Sequence, residues 1–175
     1  ETLAPHGDAI CRDYAAYTAA TAVVETCDRL TEEGEIATQQ YLLVAGAMAA
    51  LAAGEHDATL VLDAYLLRAL AVAGWAPSFH DCAKCGAPGP HRAFNVAAGG
   101  AVCLVCRPPG SAAPAPETLG LLTALLTGDW TVAEMPQVLD PPQGFVASAN
   151  QQPVDPAEFP RYLGAGWLSP WRALR

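Results

Sequence analysis

Hydrophobic positions recur at helical spacing up to Gly74 and again from Glu117 to Leu126, and lose that period beyond Gly128. After a polar lead-in, Thr2 to Asp8, the residues Ile10, Tyr14, Tyr17, Thr21 and Val24 repeat at intervals of four and three. They predict a first helix with that face inward and with Cys11 and Cys27 as small core residues. Thr31 to Gly34 breaks it. A second helix is expected from about Ile36 to Ala53, where Leu42, Leu43, Val44, Met48 and Leu51 spread apolar surface over a wide arc with almost no charge. Such a helix belongs in the middle of a bundle. Asp57 is a suitable N-cap for a third helix, which presents Leu62, Leu66 and Leu70 with Val61, Tyr65 and Ala69 adjoining. Gly74 fits its C′ position, and Pro77 prevents continuation. A fourth helix is expected over Glu117 to Leu126, with Pro116 in its first turn, Leu119, Leu122, Leu125 and Leu126 as its apolar positions, and Gly128 at its end.

Between the third and fourth helices the period disappears. Arg92–Val96 and Ala101–Cys103 flank Gly99-Gly100, a pair that favours a two-residue hairpin turn. Trp75 and Phe79 stand at the entrance to this segment and read as aromatic anchors packing it against the helices. From Thr131 onward no helical period survives, and Pro136, Pro141, Pro142, Pro153, Pro156 and Pro160 precede Tyr162, Trp167 and Trp171. The expected fold is therefore mainly α: a helical bundle with an inserted four-cysteine zinc finger and hairpin, followed by an irregular Pro-rich C-terminal tail. The expected domains are 1–130, with the zinc loop at 80–108, and a tail at 131–175.

The inserted segment carries the chemistry. Cys82-Ala-Lys-Cys85 and Cys103-Leu-Val-Cys106 are separated by seventeen residues. Two CxxC pairs so spaced form a zinc signature, because each pair on a tight turn offers two thiolates to one ion from the same side. Gly86 follows the first pair, as a knuckle requires. The alternatives are two disulfides, four unrelated core cysteines or a redox pair; the last needs a thioredoxin-like βαβ context, and none surrounds it. The expected ligands are Cys82, Cys85, Cys103 and Cys106. Four protein ligands leave no open position, so the expected Zn2+ is structural. His80 and His91 read as loop residues rather than spare ligands. All four histidines, His6 and His56 included, fall in predicted loops and read as surface groups. No phosphate-binding Gly-rich loop and no nucleophile motif is present, so no catalytic or cofactor-binding residue and no small-molecule substrate is expected.

Charge refines the picture. The chain has 175 residues and a net charge of −9, from eighteen acids against nine bases. That balance argues against strong non-specific nucleic-acid binding. From Ala64 to Pro116, however, Arg68, Lys84, Arg92 and Arg107 face only Asp81. The two readings there are a weak phosphate contact and loop solvation, and loop solvation is the simpler role. No basic-then-apolar leader opens the chain, and the longest apolar stretch, Tyr41 to Gly54, is short for a bilayer. A soluble cytoplasmic setting without a membrane partner is expected, and it suits cysteines used as metal ligands.

Several stretches together resemble the C-terminal portion of the bacterial RecO DNA-repair family, and most of all its actinobacterial members. These are Leu3-Ala-Pro5, Tyr17-Thr-Ala19, Gln39–Leu43, Leu62-Asp63 and Leu66–Pro77, followed by the zinc loop with Gly86, Phe94, Gly99 and Gly100. The resemblance implies an OB-fold ahead of Glu1, a helical domain with a zinc finger, and a non-enzymatic recombination mediator of the RecF pathway. Such proteins anneal single strands and work with RecR and single-stranded DNA-binding protein. Without the OB-fold, single-stranded DNA is expected to bind weakly or only to the full-length protein.

A second, shorter likeness lies in the tail. Pro141–Asn150, Pro160–Gly164 and Trp171-Arg172 resemble an internal segment of penicillin acylase-type N-terminal nucleophile hydrolases. No nucleophile accompanies them, so an inactive piece of such an amide hydrolase is the alternative reading, and a join near Trp130 is expected if the tail is foreign or fused. A zinc-ribbon interaction module of unrelated function is the third.

Overall fold

Six helices and one short hairpin make up the computed structural model, which describes residues 6–134. The tail readings at 135–175, including the Pro-rich run, lie outside the described residues. The chain divides into two compact units, residues 6–77 with 120–134, and residues 78–119.

The helical unit begins with α1 (His6–Ile10), whose Ile10 enters the core. The single first helix expected from the sequence is in fact two, because Asp13 interrupts it. The Asp13 side chain accepts the Ala16 N–H at 2.8 Å and N-caps α2 (Tyr14–Leu30). The face of α2 is also rotated from the expected one. Ala16, Ala19, Ala20 and Val23 are buried, whereas Tyr14, Tyr17 and Val24 are exposed, and so is Cys11 on the turn after α1. The small face wins because alanine lets helix axes approach closely and still exclude water.

Helix α3 (Thr38–Ala53) begins after Ile36, which is exposed. It buries Gln40, Ala47 and Leu51, and leaves Tyr41 and Leu42 in solvent, so one flank is open rather than central. Gln40 is buried through its amide, whose Nε2 donates to the Ala69 carbonyl at 2.9 Å. Helix α4 (Ala58–Val72) starts at the expected cap, with Asp57 Oδ1 accepting the N–H groups of Thr59 and Leu60. Asp57→Ala should cost about 1 kcal/mol, read as a lower urea midpoint with an unchanged slope.

Helix α4 ends in a Schellman motif: the Gly74 N–H donates to Ala71 O and the Trp75 N–H to Leu70 O. Its buried positions are Leu60, Val61, Ala64, Tyr65 and Ala69, while Leu62, Leu66 and Leu70 are only half-buried. Val61, Tyr65 and Ala69 join α2 and α3, and Leu60 and Ala64 meet Ala124, Leu125 and Ala133 from the last two helices. α4 thus contributes buried residues to both clusters.

Helix α5 (Pro116–Thr127) ends at Gly128, as expected. Arg68 on α4 donates from Nε to the carbonyls of Leu125 and Leu126, where a cation suits the helix end. It therefore serves a helix end rather than solvating a loop. Helix α6 (Trp130–Ala133) replaces the irregular start expected from Thr131. The Asp129 side chain caps it, and Trp130 stacks on His56 with ring centroids 4.0 Å apart. His56 Nδ1 lies 2.6 Å from Glu134 Oε1, so this histidine is a half-buried packing group rather than a free loop residue. His6 likewise is helical, opening α1.

Candidate metal centre

Residues 78–119 are built on a two-stranded antiparallel ribbon, β1 (Ala93–Asn95) with β2 (Gly100–Val102). Ala93 pairs with Val102, Phe94 with Ala101 and Asn95 with Gly100. The turn is longer than the two-residue form expected. Val96–Ala98 form a 3₁₀ turn, capped by Asn95 Oδ1 on the Ala98 N–H, and Gly99 closes it at φ +84°. Gly100 is a strand residue instead. Both edges of the ribbon are covered. Phe94 exchanges backbone hydrogen bonds with Ala112 at 2.9 Å each, and the Ala101 N–H donates to Ser78 O at 2.7 Å. Phe79 is buried and stacks on Phe94. Trp75, its expected companion anchor, is 54% exposed at the end of α4.

The first CxxC turn sits against this ribbon. Its closing bonds run from the Gly86 N–H to Cys82 O at 2.8 Å and from the Cys82 N–H to Ala87 O at 2.9 Å. The Ala83 N–H donates to Ala101 O at 2.8 Å and ties the turn to β2. The second CxxC turn leaves β2 directly. The Cys103 N–H donates to the Cys82 sulfur at 3.4 Å, so the two turns are joined at that atom. Cys82 is buried with Ala93 and Val102, while Cys103 and Cys106 pack against that small cluster half-buried and Cys85 is exposed.

The four sulfurs of Cys82, Cys85, Cys103 and Cys106 lie within 4.8 Å of one another, and Cys85 Sγ is 3.8 Å from Cys103 Sγ. A tetrahedron of thiolates bound at about 2.3 Å has edges of about 3.8 Å. The cluster is therefore able to coordinate a metal ion, and its all-sulfur donor set suits a soft or borderline one. All six cysteines are free thiols, so the disulfide alternative has no support here.

His80 and His91 stay outside the cluster. His80 Nδ1 lies 2.8 Å from Asp81 Oδ1, and His91 Nε2 lies 3.0 Å from Ala87 O. Asp81 also accepts the Gly89 N–H at 3.0 Å, and these two contacts, the histidine foremost, hold its carboxyl below the usual range.

Protonation within the cluster is uneven. The Cys82 thiol is drawn down to about 6, first by the Cys103 N–H and then by that of Cys85. Cys106 is pushed up to about 12, chiefly by the thiols of Cys103 and Cys85. Since Cys82 is depressed in the fold, its thiolate is favoured there from about pH 6 upward. That advantage over the unfolded chain is lost as pH falls through the same value. Metal retention, followed with a chromogenic chelator across a pH series, should decline as pH is lowered, because protons compete with the ion for all four thiolates.

A sequence-family model described as "Recombination protein O C terminal" matches residues 11–140. The chain belongs to the recombination protein O family. It is 62% identical over 135 residues to the DNA repair protein RecO of Streptomyces coelicolor, covering 77% of this chain and 54% of that protein. It is 56% identical over 138 residues to DNA repair protein RecO of a Nocardioides species, with 77% and 57% coverage. For DNA repair protein RecO of Thermobifida fusca, identity is 51% over 135 residues, with 77% and 56% coverage. The actinobacterial resemblance is thus borne out. The chain spans about half the length of the curated RecO relatives it matches. A second family model, described as "Penicillin amidase", matches residues 110–175 and overlaps the RecO match over 110–140. No solved structure matches.

One feature of the cysteine turns went unread in the sequence. Leu104 and Val105, at the tip of the second turn, are 89% and 94% exposed. The signal was available: when both cysteines of a CxxC point at one ion, the two residues between them point away. Among the described residues no helix is long and apolar enough to cross a membrane.

Proposed function

We propose that this chain is the helical, zinc-bearing part of a recombination mediator that serves DNA repair in the cytoplasm and catalyses no reaction. The observation that carries the reading is 62% identity over 135 residues to a DNA repair protein RecO. In this reading the metal is Zn2+, held by Cys82, Cys85, Cys103 and Cys106 as a structural ion. It supplies no chemistry beyond closing the 78–119 unit. RecR and the single-stranded DNA-binding protein are the proposed partners, through RecO-family membership. Single-stranded DNA is expected to bind the isolated chain weakly, since Lys84, Arg92 and Arg107 are few against a net charge of −9. An OB-fold ahead of residue 1 would carry most of that contact in a longer protein.

The test combines metal analysis with binding. About one zinc per chain and measurable binding to purified RecR or single-stranded DNA-binding protein are expected from mass spectrometry and calorimetry. A chain that folds identically without metal and binds neither partner would sink the proposal.

The match to a penicillin amidase model over residues 110–175 supports a second reading, in which the tail derives from an amide hydrolase. We expect no hydrolysis of a chromogenic phenylacetamide by this chain. Sequencing the source DNA through the codons for residues 110–140 distinguishes one native reading frame from a joined one.

A further inference from the structure

The turn between α2 and α3 has surface features that a purely structural connection does not require. Ile36 is 95% exposed, and Tyr41, in the first turn of α3, is 69% exposed. Between them runs an open groove of about 420 Å³, lined by Cys27, Ile36, Tyr41 and Val44 and by the acidic residues Glu32 and Glu35. Single exposed apolar side chains are ordinary, but here they share one concavity with carboxylates at its edge.

The charge around the groove has one sign. From residue 25 to 35 there are five acids, Glu25, Asp28, Glu32, Glu33 and Glu35, and one base, Arg29, giving 1 − 5 = −4. Arg29 is already paired with Glu25 at 3.3 Å. Helix α3, which forms the other wall, contains no charged residue to offset this.

A second groove, of about 330 Å³, shares Ile36, Ala37 and Thr38 with the first and is lined by Gln40. Gln40 is 5% exposed, and the bond from its Nε2 to Ala69 O fixes which way the amide faces. Its Oε1 is left without a hydrogen-bond donor.

We infer that this groove docks a basic peptide segment of a partner protein, with aliphatic or aromatic side chains laid on Ile36, Tyr41 and Val44 and lysine or arginine at Glu32 and Glu35. The sign of the charge excludes nucleic acid and anionic membranes, and a second copy of the chain would bring another −4 to the same place. An acidic peptide is repelled, so this site is separate from any contact with an acidic partner and stands independently of the proposed repair function.

The test uses the whole 175-residue chain. The probes are a short fluorescein-labelled peptide of alternating leucine and arginine and its leucine–glutamate counterpart, followed by anisotropy at physiological salt. The arginine peptide is expected to bind and the glutamate peptide not. Glu32→Lys combined with Glu35→Lys should weaken binding at least about tenfold. Ile36→Ser should also weaken it, with an unchanged circular dichroism spectrum, because this side chain is almost wholly in solvent. Glu117→Lys, in the first turn of α5, should leave the affinity unchanged. Equal binding of both peptides, binding unaffected by either groove variant, or no binding would overturn the inference. Concentration-dependent dimers abolished by Ile36→Ser would overturn it in favour of a second copy.

Discussion

Replacing Cys82 with serine is expected to abolish metal binding and unfold the 78–119 unit while leaving the helical unit folded. Cys82 is the most deeply placed of the four cysteines, buried against Ala93 and Val102, and its sulfur accepts the Cys103 N–H. Serine keeps a hydrogen-bond acceptor but loses the thiolate, and its shorter bond withdraws the donor atom from the other three sulfurs. What remains is a ribbon of two three-residue strands with a core of a few small side chains. A hairpin of that size is marginal in water by itself. With zinc as the proposed ion, metal analysis should therefore fall from about one per chain to near zero. Amide exchange should lose protection at Ala101 and Cys103 but keep it along α2 and α4. A strong chelator added to the unaltered chain should reproduce both changes. Cys11→Ser serves as the control, since Cys11 is exposed and outside the cluster. Full metal content in the Cys82 variant, or a protected ribbon after chelation, would sink the proposed structural role of the metal.

Gly100→Ala should be a strongly damaging single-methyl change in the same unit. A Cβ built at Gly100 would fall 2.0 Å from Ser78 O and 2.8 Å from Ser78 N, and the residue sits at φ +147°. Both obstacles are backbone atoms, held by the bonds from Ser78 N–H to Gly99 O and from Ala101 N–H to Ser78 O. Nothing there can swing aside as a side-chain tip could. Adding the strain of the backbone angle to that of overpacking gives a loss of about 3 kcal/mol or more. The neighbouring glycine is the internal comparison. Gly99 also has a positive φ, +84°, yet a Cβ there meets nothing within 4 Å. Gly99→Ala should cost only the left-handed conformation, about 1–2 kcal/mol. Urea denaturation of the metal-loaded variants measures both. Equal losses would show that the close approach of Ser78 is not what constrains position 100.

The readable parts of this chain were those governed by local chemistry. The Asp57 cap, the Gly74 and Gly128 terminations and the start of α5 at Pro116 depend on groups within a few residues of one another, so spacing reveals them. Asp13 obeys the same rule and could have been read as an N-cap; the apolar run from Ile10 to Val24 obscured it. The face of α2 was a different kind of problem. Large apolar residues suggested a core of Tyr14, Tyr17 and Val24, but the interface is made from Ala16, Ala19, Ala20 and Val23. In an alanine-rich chain, size and burial separate, because close approach of backbones can bury as much per contact as a large side chain projecting into a wider gap.

Two CxxC pairs at their spacing, and the caps and breaks that punctuate the helices, are properties of the sequence by itself, because each rests on the reach of one side chain or one turn. Tertiary structure decided the rest. It rotated α2 onto its alanines, turned Arg68 to the end of α5, and made Gly100 a strand residue beneath Ser78. Each of these depends on which backbone lies opposite, and that is settled by packing between distant segments rather than by any pattern along the chain.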